Sequence, residues 1–216
     1  MSYDLRYITF DLFNGFGQNI FLFVLTLLLS MPLGLLITFC TTSKFRIIKA
    51  PAKLFIWVIR GTPLMLQLLI VLYAPGLLLG MPFRERMTAA LIAFVINYAA
   101  YFSEVYRGGI EGVPHEQFEA GRVLGMTERQ VFFKIILPQV IKRITAPVGN
   151  EVITLVKDTA LSRIIGIPEI IISAERYTSG GLIWPLFYTG VYFLALNGIV
   201  TLLFSYFEKK LDYYRI

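Results

Sequence analysis

Two long stretches without a charged residue limit what this chain can fold into. Residues 12–43 and residues 177–207 carry no Asp, Glu, Lys or Arg. Each is longer than the roughly 20 residues that cross about 30 Å of hydrocarbon as a helix. With 56% apolar residues, 16% charged residues and a mean hydropathy of +0.69, the composition agrees. The chain is therefore predicted to be a membrane protein, and not a soluble enzyme, a disordered chain or a nucleic-acid binder.

Five membrane-spanning helices are predicted within a single transmembrane domain, residues 1–216. The fold class is all-α and polytopic, and the expected spans are residues 16–40, 54–79, 87–106, 144–167 and 183–207. The fourth span is unusual because it contains Glu151, Lys157, Asp158 and Arg163. A helix with such residues cannot face lipid, so it has to be enclosed by the other helices or line a wet cavity.

The basic residues predict the orientation of the chain in the membrane. Basic residues outnumber acidic ones in the segments that follow the first and last spans: Lys44, Arg46, Lys49, Lys53, Lys209, Lys210 and Arg215. The opposite connections are sparser in cations. We therefore expect a cytoplasmic C-terminus, an N-terminus outside, and a cytoplasmic connection between the third and fourth spans.

That connection, residues 113–138, is too long for a simple hairpin. Pro114 suits the start of a helix, and Gly125 suits its left-handed end. Thr127 and Gln130 have the spacing of a capping box, which starts a second short helix that Pro138 is expected to close. The spacing alone also fits a connector that simply lies on the membrane surface.

The residues of this connection resemble a known motif. Glu119-Ala120-Gly121, followed by Gly125, Ile135 and Leu137-Pro138, is similar to the cytoplasmic "EAA" motif of permease subunits in binding-protein-dependent ABC importers. Gly121 is the one departure, because the motif usually has a second Ala there. Further segments look like the polar amino acid branch of that family: Arg60-Gly61-Thr62-Pro63 through Gln67, Glu104 through Ile110, Gly149-Asn150-Glu151 and Lys157-Asp158-Thr159.

The resemblance implies a set of partners. It identifies the helix with Glu119, Ala120 and Gly121 as a coupling helix that docks on an ATP-hydrolysing subunit. Two such ATPase subunits, a second permease subunit that is identical or related, and an extracytoplasmic binding protein are expected in a bacterial inner membrane. Small residues permit close approach, Glu119 can pair with a basic residue of the partner, and Gly125 permits the abrupt turn.

The chain itself has no sign of an ATP site or of catalysis. It contains no Gly-Lys pair, so the phosphate-binding loop of ATPases is missing from the sequence. A single histidine, His115, and a single cysteine, Cys40, offer no metal cluster. We expect no cofactor or metal in this chain, with ATP and Mg²⁺ bound by the partner ATPase, and no enzymatic activity of its own.

Polar residues within two spans are candidates for the substrate path. Asn97, Tyr101 and Glu104 share one helical face. Asn150, Thr154 and Asp158 share another, with Glu151 beside them. The same residues could instead hydrogen-bond neighbouring helices, and Arg60 could snorkel or cap a backbone break at Gly61-Thr62-Pro63.

The acidic surplus of Glu104, Glu151 and Asp158 over Lys157 favours a cationic amino acid, namely arginine, lysine or histidine. If Arg60, Arg107 or Arg163 neutralises those acids, glutamine, glutamate or another small solute remains possible. A different class, an ATP-independent carrier or channel, would use the acidic faces without a docking helix.

Overall fold

The computed structural model describes residues 5–212, which fold into helices joined by short connections. The predicted all-α fold is confirmed within this range. Arg215, which entered the orientation argument, lies outside the described residues. The helices are α1 (Leu5–Thr42), α2 (Arg46–Arg60), α3 (Leu64–Leu79), α4 (Arg86–Glu111), α5 (His115–Val123), α6 (Glu128–Val131), α7 (Leu137–Asp158), α8 (Ile170–Thr178) and α9 (Trp184–Leu211).

Among the described helices, α1, α4 and α9 are long and apolar enough to cross a membrane. The pair α2 and α3 counts as a fourth span if its two helices are taken together. The predicted fourth span corresponds to α7, whose polar residues keep it below the hydropathy of a lipid-facing span. α7 continues into a 3₁₀ segment, Thr159–Ile165.

Of the long helices, α1, α4 and α9 run in one direction and α7 runs in the opposite one. Gly34 of α1 lies against Phe102 of α4, and Thr38 donates a hydrogen bond to the Ser103 carbonyl at 3.1 Å, so α1 and α4 are parallel. α7 is antiparallel to both, because its start packs on the end of α4 and its Asp158 meets Tyr98. α9 in turn is antiparallel to α7. The end of α9 and the connection 113–138 therefore lie at one end of the bundle, and Leu5 lies at the other.

Small side chains allow α1 and α4 to approach closely. A Cβ atom on Gly34 would stand 2.9 Å from the Phe102 Cβ and 3.0 Å from the Ala99 carbonyl oxygen. Ser30 and Thr38 on the same face of α1 are fully buried. Close approach of this kind is how helices gain packing energy in lipid, where burial from water contributes nothing.

The second predicted span is not one helix. It divides at Gly61-Thr62-Pro63 into α2 and α3, whose axes differ in direction by 107°. Pro63 cannot donate a backbone hydrogen bond and disfavours helical geometry in the residue before it, so the helix ends there. The sequence indicates a break at this position, but it does not indicate the angle between the two helices.

The connection 113–138 begins with the predicted helix and sharp turn. α5 ends at a Schellman motif, in which the Gly125 N–H donates to the Arg122 carbonyl at 2.9 Å and the Met126 N–H donates to the Gly121 carbonyl at 3.1 Å. Gly125 has φ of 73°, which confirms its left-handed conformation. The capping box of Thr127 and Gln130 is also confirmed.

The expectation that Pro138 closes the second helix is wrong. α6 continues through a π-helical segment, Phe132–Ile136, directly into α7, so Pro138 lies inside a continuous helix. A proline ring normally clashes with the carbonyl one turn earlier, and the wider π turn relieves that clash. The connection 113–138 thus runs into α7 without a break in the helix.

Candidate substrate site

A polar cavity of about 460 Å³ lies where the α2–α3 break, α4 and α7 meet. Its volume is within the range of about 300–1,000 Å³ that is typical of small-molecule sites. The break contributes Arg60, Gly61, Thr62, Pro63 and Leu64; α4 contributes Asn97, Tyr98 and Tyr101; and α7 and the following segment contribute Glu151, Thr154, Asp158 and Leu161. We call this space the polar cavity.

The polar cavity has one cation and two acids on its wall. The Arg60 guanidinium lies 5.0 Å from the centre of the Tyr101 ring, in a cation–π contact. Asp158 accepts a hydrogen bond from the Tyr98 hydroxyl at 2.7 Å. Glu151 is half-buried on the α7 side. The net formal charge of these side chains is therefore negative by one, and both signs are present within one small space.

The broken helix brings a helix N-terminus to the cavity. α3 starts at Leu64, and its N-cap residue, Pro63, makes no side-chain capping bond. The first backbone N–H groups of a helix have no partner within the helix and carry a partial positive charge. Together with Arg60 they make one side of the polar cavity suited to an anionic group such as a carboxylate.

Gln67 holds the break in shape. Its Nε2 atom lies within hydrogen-bond distance of the Ile59 carbonyl (2.8 Å), the Thr62 carbonyl (3.2 Å) and the Thr62 hydroxyl (2.9 Å). Its Oε1 atom accepts a hydrogen bond from the Asn97 side chain at 3.0 Å. One buried amide therefore fastens the end of α2, the start of α3 and the middle of α4 to one another.

We predict that Gln67→Leu will distort the cavity as well as destabilise the protein. The change leaves the Asn97 amide and two backbone carbonyls without this partner, at a cost of about 1–3 kcal/mol for each buried group that stays unpaired. Thermal unfolding should show a lower midpoint, and substrate affinity should fall with it. Thr201→Val, which removes an exposed hydroxyl bonded only within α9, is the matched control and should change neither quantity.

A second cavity of about 490 Å³ adjoins the first at Arg60 and Gly61. We call it the basic vestibule; its other lining residues are Lys53, Ile56, Trp57, Glu104 and Arg107. Glu104 is held by Arg107 through two hydrogen bonds, at 2.9 and 2.7 Å, and by Arg60 at 3.5 Å. Arg107 also pairs with Glu111. Glu104 is therefore neutralised by cations, which removes it from the acidic surplus on which the sequence argument relied.

The structure brings together five of the seven predicted path residues around the polar cavity: Asn97, Tyr101, Glu151, Thr154 and Asp158. Glu104 lies one turn further along α4, in the basic vestibule. Asn150 is exposed on α7 and is not part of either lining. Lys157 is exposed and likewise lies outside both linings.

Sequence reasoning missed Arg60, Tyr98 and Thr62 as lining residues. The sequence favours a snorkelling or capping role for Arg60, although a cation inside an apolar stretch beside a helix break is itself a signal for a polar site. Tyr98 carried no such signal. It is an aromatic residue among aromatic residues, and only its contact with Asp158 shows its hydroxyl in the cavity wall.

The predicted coupling residues differ in where they point. Glu119 and Ala120 are exposed on α5, and the Glu119 carboxylate lies 3.3 Å from the His115 Nδ1 atom. Gly121 is instead buried inside the connection, where an added Cβ would stand 2.6 Å from a methyl group of Val131. Its small size therefore serves the packing of α5 on α6. The exposed apolar residues beside the turn are Val123 and Leu124, at 86% and 77% exposure, which the motif did not indicate.

Within residues 5–212, no group of three or more His, Cys, Asp or Glu side chains is arranged to hold a metal ion. In the polar cavity, Asp158 accepts a hydrogen bond from the Tyr98 hydroxyl and Arg60 lies over the Tyr101 ring. The arrangement suits reversible binding of a small zwitterion.

Comparison with known proteins shows the class to which this fold and site belong. Residues 30–213 match the family "Binding-protein-dependent transport system inner membrane component". The chain is 32% identical over 202 residues to the arginine transport system permease protein ArtQ of Bacillus subtilis, covering 92% of this chain and 91% of that protein. It is also 32% identical over 193 residues to the putative glutamine transport system permease protein GlnP of Rickettsia felis, covering 87% of each.

Solved structures show the same fold. One chain of an amino acid ABC transporter, crystallised with histidines, superposes with a TM-score of 0.86 at 31% identity, over 97% of this chain and all of that chain. A chain of the MetNI methionine ABC transporter matches in fold, with a TM-score of 0.69 at 16% identity, over 98% of this chain and 99% of that chain. The protein belongs to the family of inner membrane components of binding-protein-dependent transport systems, and the resemblance predicted from its motifs is confirmed. Permeases of this family are membrane transport subunits, and a separate partner subunit hydrolyses the ATP.

Proposed function

We propose that this chain is the permease subunit of an ATP-driven amino acid importer and that the amino acid binds in the polar cavity. The observation that carries the proposal is the arrangement of Arg60 and the α3 N-terminus on one side and of Glu151 and Asp158 on the other. An amino acid has a carboxylate and an ammonium group only a few bonds apart. The first side is complementary to its carboxylate, and the second to its ammonium group.

The charge count favours a basic amino acid. One cation and two acids leave the wall with a net charge of −1. Arginine and lysine carry a net charge of +1. Arg60 and one acid pair with the carboxylate and the ammonium group of such a ligand, and the second acid remains for its side-chain cation. Glutamine, or glutamate, is the alternative, and the resemblance to both an arginine and a glutamine permease keeps it in view.

Transport follows from coupling this cavity to partner subunits. In this proposal, two permease subunits, identical or related, alternate between outward and inward access. Each presents α5 to an ATPase subunit, with Glu119, Ala120 and the exposed Val123 and Leu124 at the contact. Since α6 continues into α7, movement of α5 and α6 is passed to the helix that carries Glu151 and Asp158. ATP and Mg²⁺ are bound by the ATPase, and the chain holds no cofactor.

The remaining partners and the orientation follow the family. A binding protein delivers the amino acid from outside a bacterial inner membrane, where the N-terminus lies, while the coupling region and the C-terminus are cytoplasmic. The structure supports one part of this topology, because the connection 113–138 and the end of α9 share one end of the bundle.

Glu151→Gln tests the assignment of the polar cavity. The change is isosteric and removes one negative charge, so we expect arginine to bind about tenfold or more weakly while glutamine loses little affinity. Equilibrium binding of labelled arginine and glutamine to the purified permease–ATPase complex, without the binding protein, measures both. Glu208→Gln removes the same charge from the exposed end of α9 and should leave both affinities unchanged. Unaltered arginine binding by Glu151→Gln would contradict the assignment.

A further inference from the structure

The short helix α2 has an unusual distribution of side chains. From Lys44 to Arg60 the chain carries five cations and no acid: Lys44, Arg46, Lys49, Lys53 and Arg60. At about 100° per residue, the four cations within α2 fall in a sector of about 60°. Ile47, Leu54 and Val58 fall on the opposite side. α2 is therefore strongly amphipathic, with a basic face and an apolar face.

The apolar face of α2 is not covered by the rest of the described chain. Ile47 is 88% exposed, and Leu54 and Val58 are 59% and 43% exposed. Ile56 is the one residue of α2 that is fully buried. An apolar surface of this kind needs an apolar environment, which in a membrane protein is the acyl-chain region of the bilayer.

The direction of α2 places it at the edge of the bilayer rather than across it. α2 follows the end of α1 after a short link, and its axis turns by 107° relative to α3, which leads back into the bundle. Trp57, which is 74% exposed, lies between the basic and apolar sectors. Indole rings prefer that boundary between headgroups and acyl chains.

The first three of these cations are available to a ligand, whereas Lys53 lines the basic vestibule together with Glu104. Arg60 is engaged by Glu104 and Tyr101. Among the described residues, no salt bridge involves Lys44, Arg46 or Lys49. A basic sector beside an apolar one is the pattern that binds anionic lipid surfaces.

We propose that α2 lies in the membrane interface, at the end of the bundle that carries the connection 113–138, and that Arg46 and Lys49 of α2, with the preceding Lys44, bind the headgroups of anionic phospholipids. This inference does not depend on the identity of the transported solute. It has a consequence for the site, because α2 ends at the Gly61-Thr62-Pro63 break that lines the polar cavity. Seating α2 on anionic lipid fixes the position of that break.

The two tryptophans of the chain, Trp57 and Trp184, provide the test. Trp184→Phe leaves Trp57 as the sole indole, and the full-length variant is reconstituted into mixed vesicles of phosphatidylglycerol and phosphatidylcholine. Two preparations are compared, in which either the phosphatidylglycerol or the phosphatidylcholine carries brominated acyl chains, at the same mole fraction. Bromine atoms quench indole fluorescence on contact. We expect brominated phosphatidylglycerol to quench Trp57 at least twofold more strongly than brominated phosphatidylcholine.

Charge variants identify the residues responsible. In the same background, the triple change Lys44→Gln, Arg46→Gln and Lys49→Gln should bring the two quenching values together, as should high salt. The matched control, Lys209→Gln with Lys210→Gln, removes two cations near the same end of the bundle and should keep the difference. Equal quenching by both lipids in the unaltered α2 would overturn the selectivity for anionic lipid. No quenching by either would overturn the interfacial location and show that a second copy or another protein covers α2.

Discussion

Gly125→Val should abolish ATP-coupled uptake while leaving insertion and folding of the permease intact. Gly125 has φ of 73° and closes the Schellman motif that ends α5. A β-branched residue in the left-handed region costs on the order of 1–3 kcal/mol. No atom lies within 4 Å of the position of an added Cβ, so the cost arises from the backbone alone. A helix of nine residues cannot absorb it without losing its terminal turn.

The expected measurement is a loss of at least tenfold in uptake by proteoliposomes that contain the permease, the ATPase and the binding protein, with basal ATP hydrolysis retained. Gly125→Asn should preserve most of the uptake, because asparagine adopts the left-handed conformation readily. Gly181→Val is the matched control. Gly181 has φ of 85° and equally open surroundings, but it lies in the turn between α8 and α9, away from the coupling region. An ATP-independent carrier would keep transporting with Gly125→Val.

Arg60→Gln should produce the largest loss of substrate binding. Arg60 is the one cation that lines the polar cavity, and it borders the basic vestibule as well. A hydrogen bond to a charged group contributes about 1.5–3 kcal/mol, so losing the carboxylate partner should weaken amino acid binding about 10- to 100-fold. The fold should tolerate the change, since Glu104 keeps its two hydrogen bonds from Arg107.

Two further variants separate charge from geometry at this position. Arg60→Lys keeps the charge but loses the planar fork, so its affinity should be intermediate. Lys209→Gln removes an exposed cation at the end of α9, away from both cavities, and it should bind like the wild type. Equilibrium binding of labelled arginine to the permease–ATPase complex gives all three values. Wild-type affinity in Arg60→Gln would place the carboxylate elsewhere.

The local features of the chain could be predicted because they depend on neighbouring residues. The capping box at Thr127 and the left-handed Gly125 involve residues only a few positions apart. Helical periodicity also aligned Asn97 with Tyr101, and Thr154 with Asp158, because those intervals are one turn of a helix. Both faces extend beyond the cavity: Glu104 lies one turn past Tyr101, in the basic vestibule, and Asn150 lies one turn before Thr154, outside both linings.

Features that depend on distant contacts could not be predicted. Gly61-Thr62-Pro63 signals a break, but its angle is set by the bonds of Gln67 to Thr62 and to Asn97, thirty residues further along the chain. Pro138 was expected to end a helix, and the π-helical segment before it removes the clash on which that expectation rested. The neutralisation of Glu104 likewise required knowing that Arg60 approaches it from another helix.

The most direct test of the central claim, that the polar cavity itself recognises the amino acid, is ATP hydrolysis by the reconstituted permease–ATPase complex with different amino acids. Each amino acid is added first without the binding protein and then with it. We predict that arginine and lysine alone stimulate hydrolysis, that their loaded binding protein stimulates it further, and that Glu151→Gln removes the first effect. Stimulation that occurs only with a loaded binding protein, and that is the same in Glu151→Gln, would contradict a selective cavity in this chain.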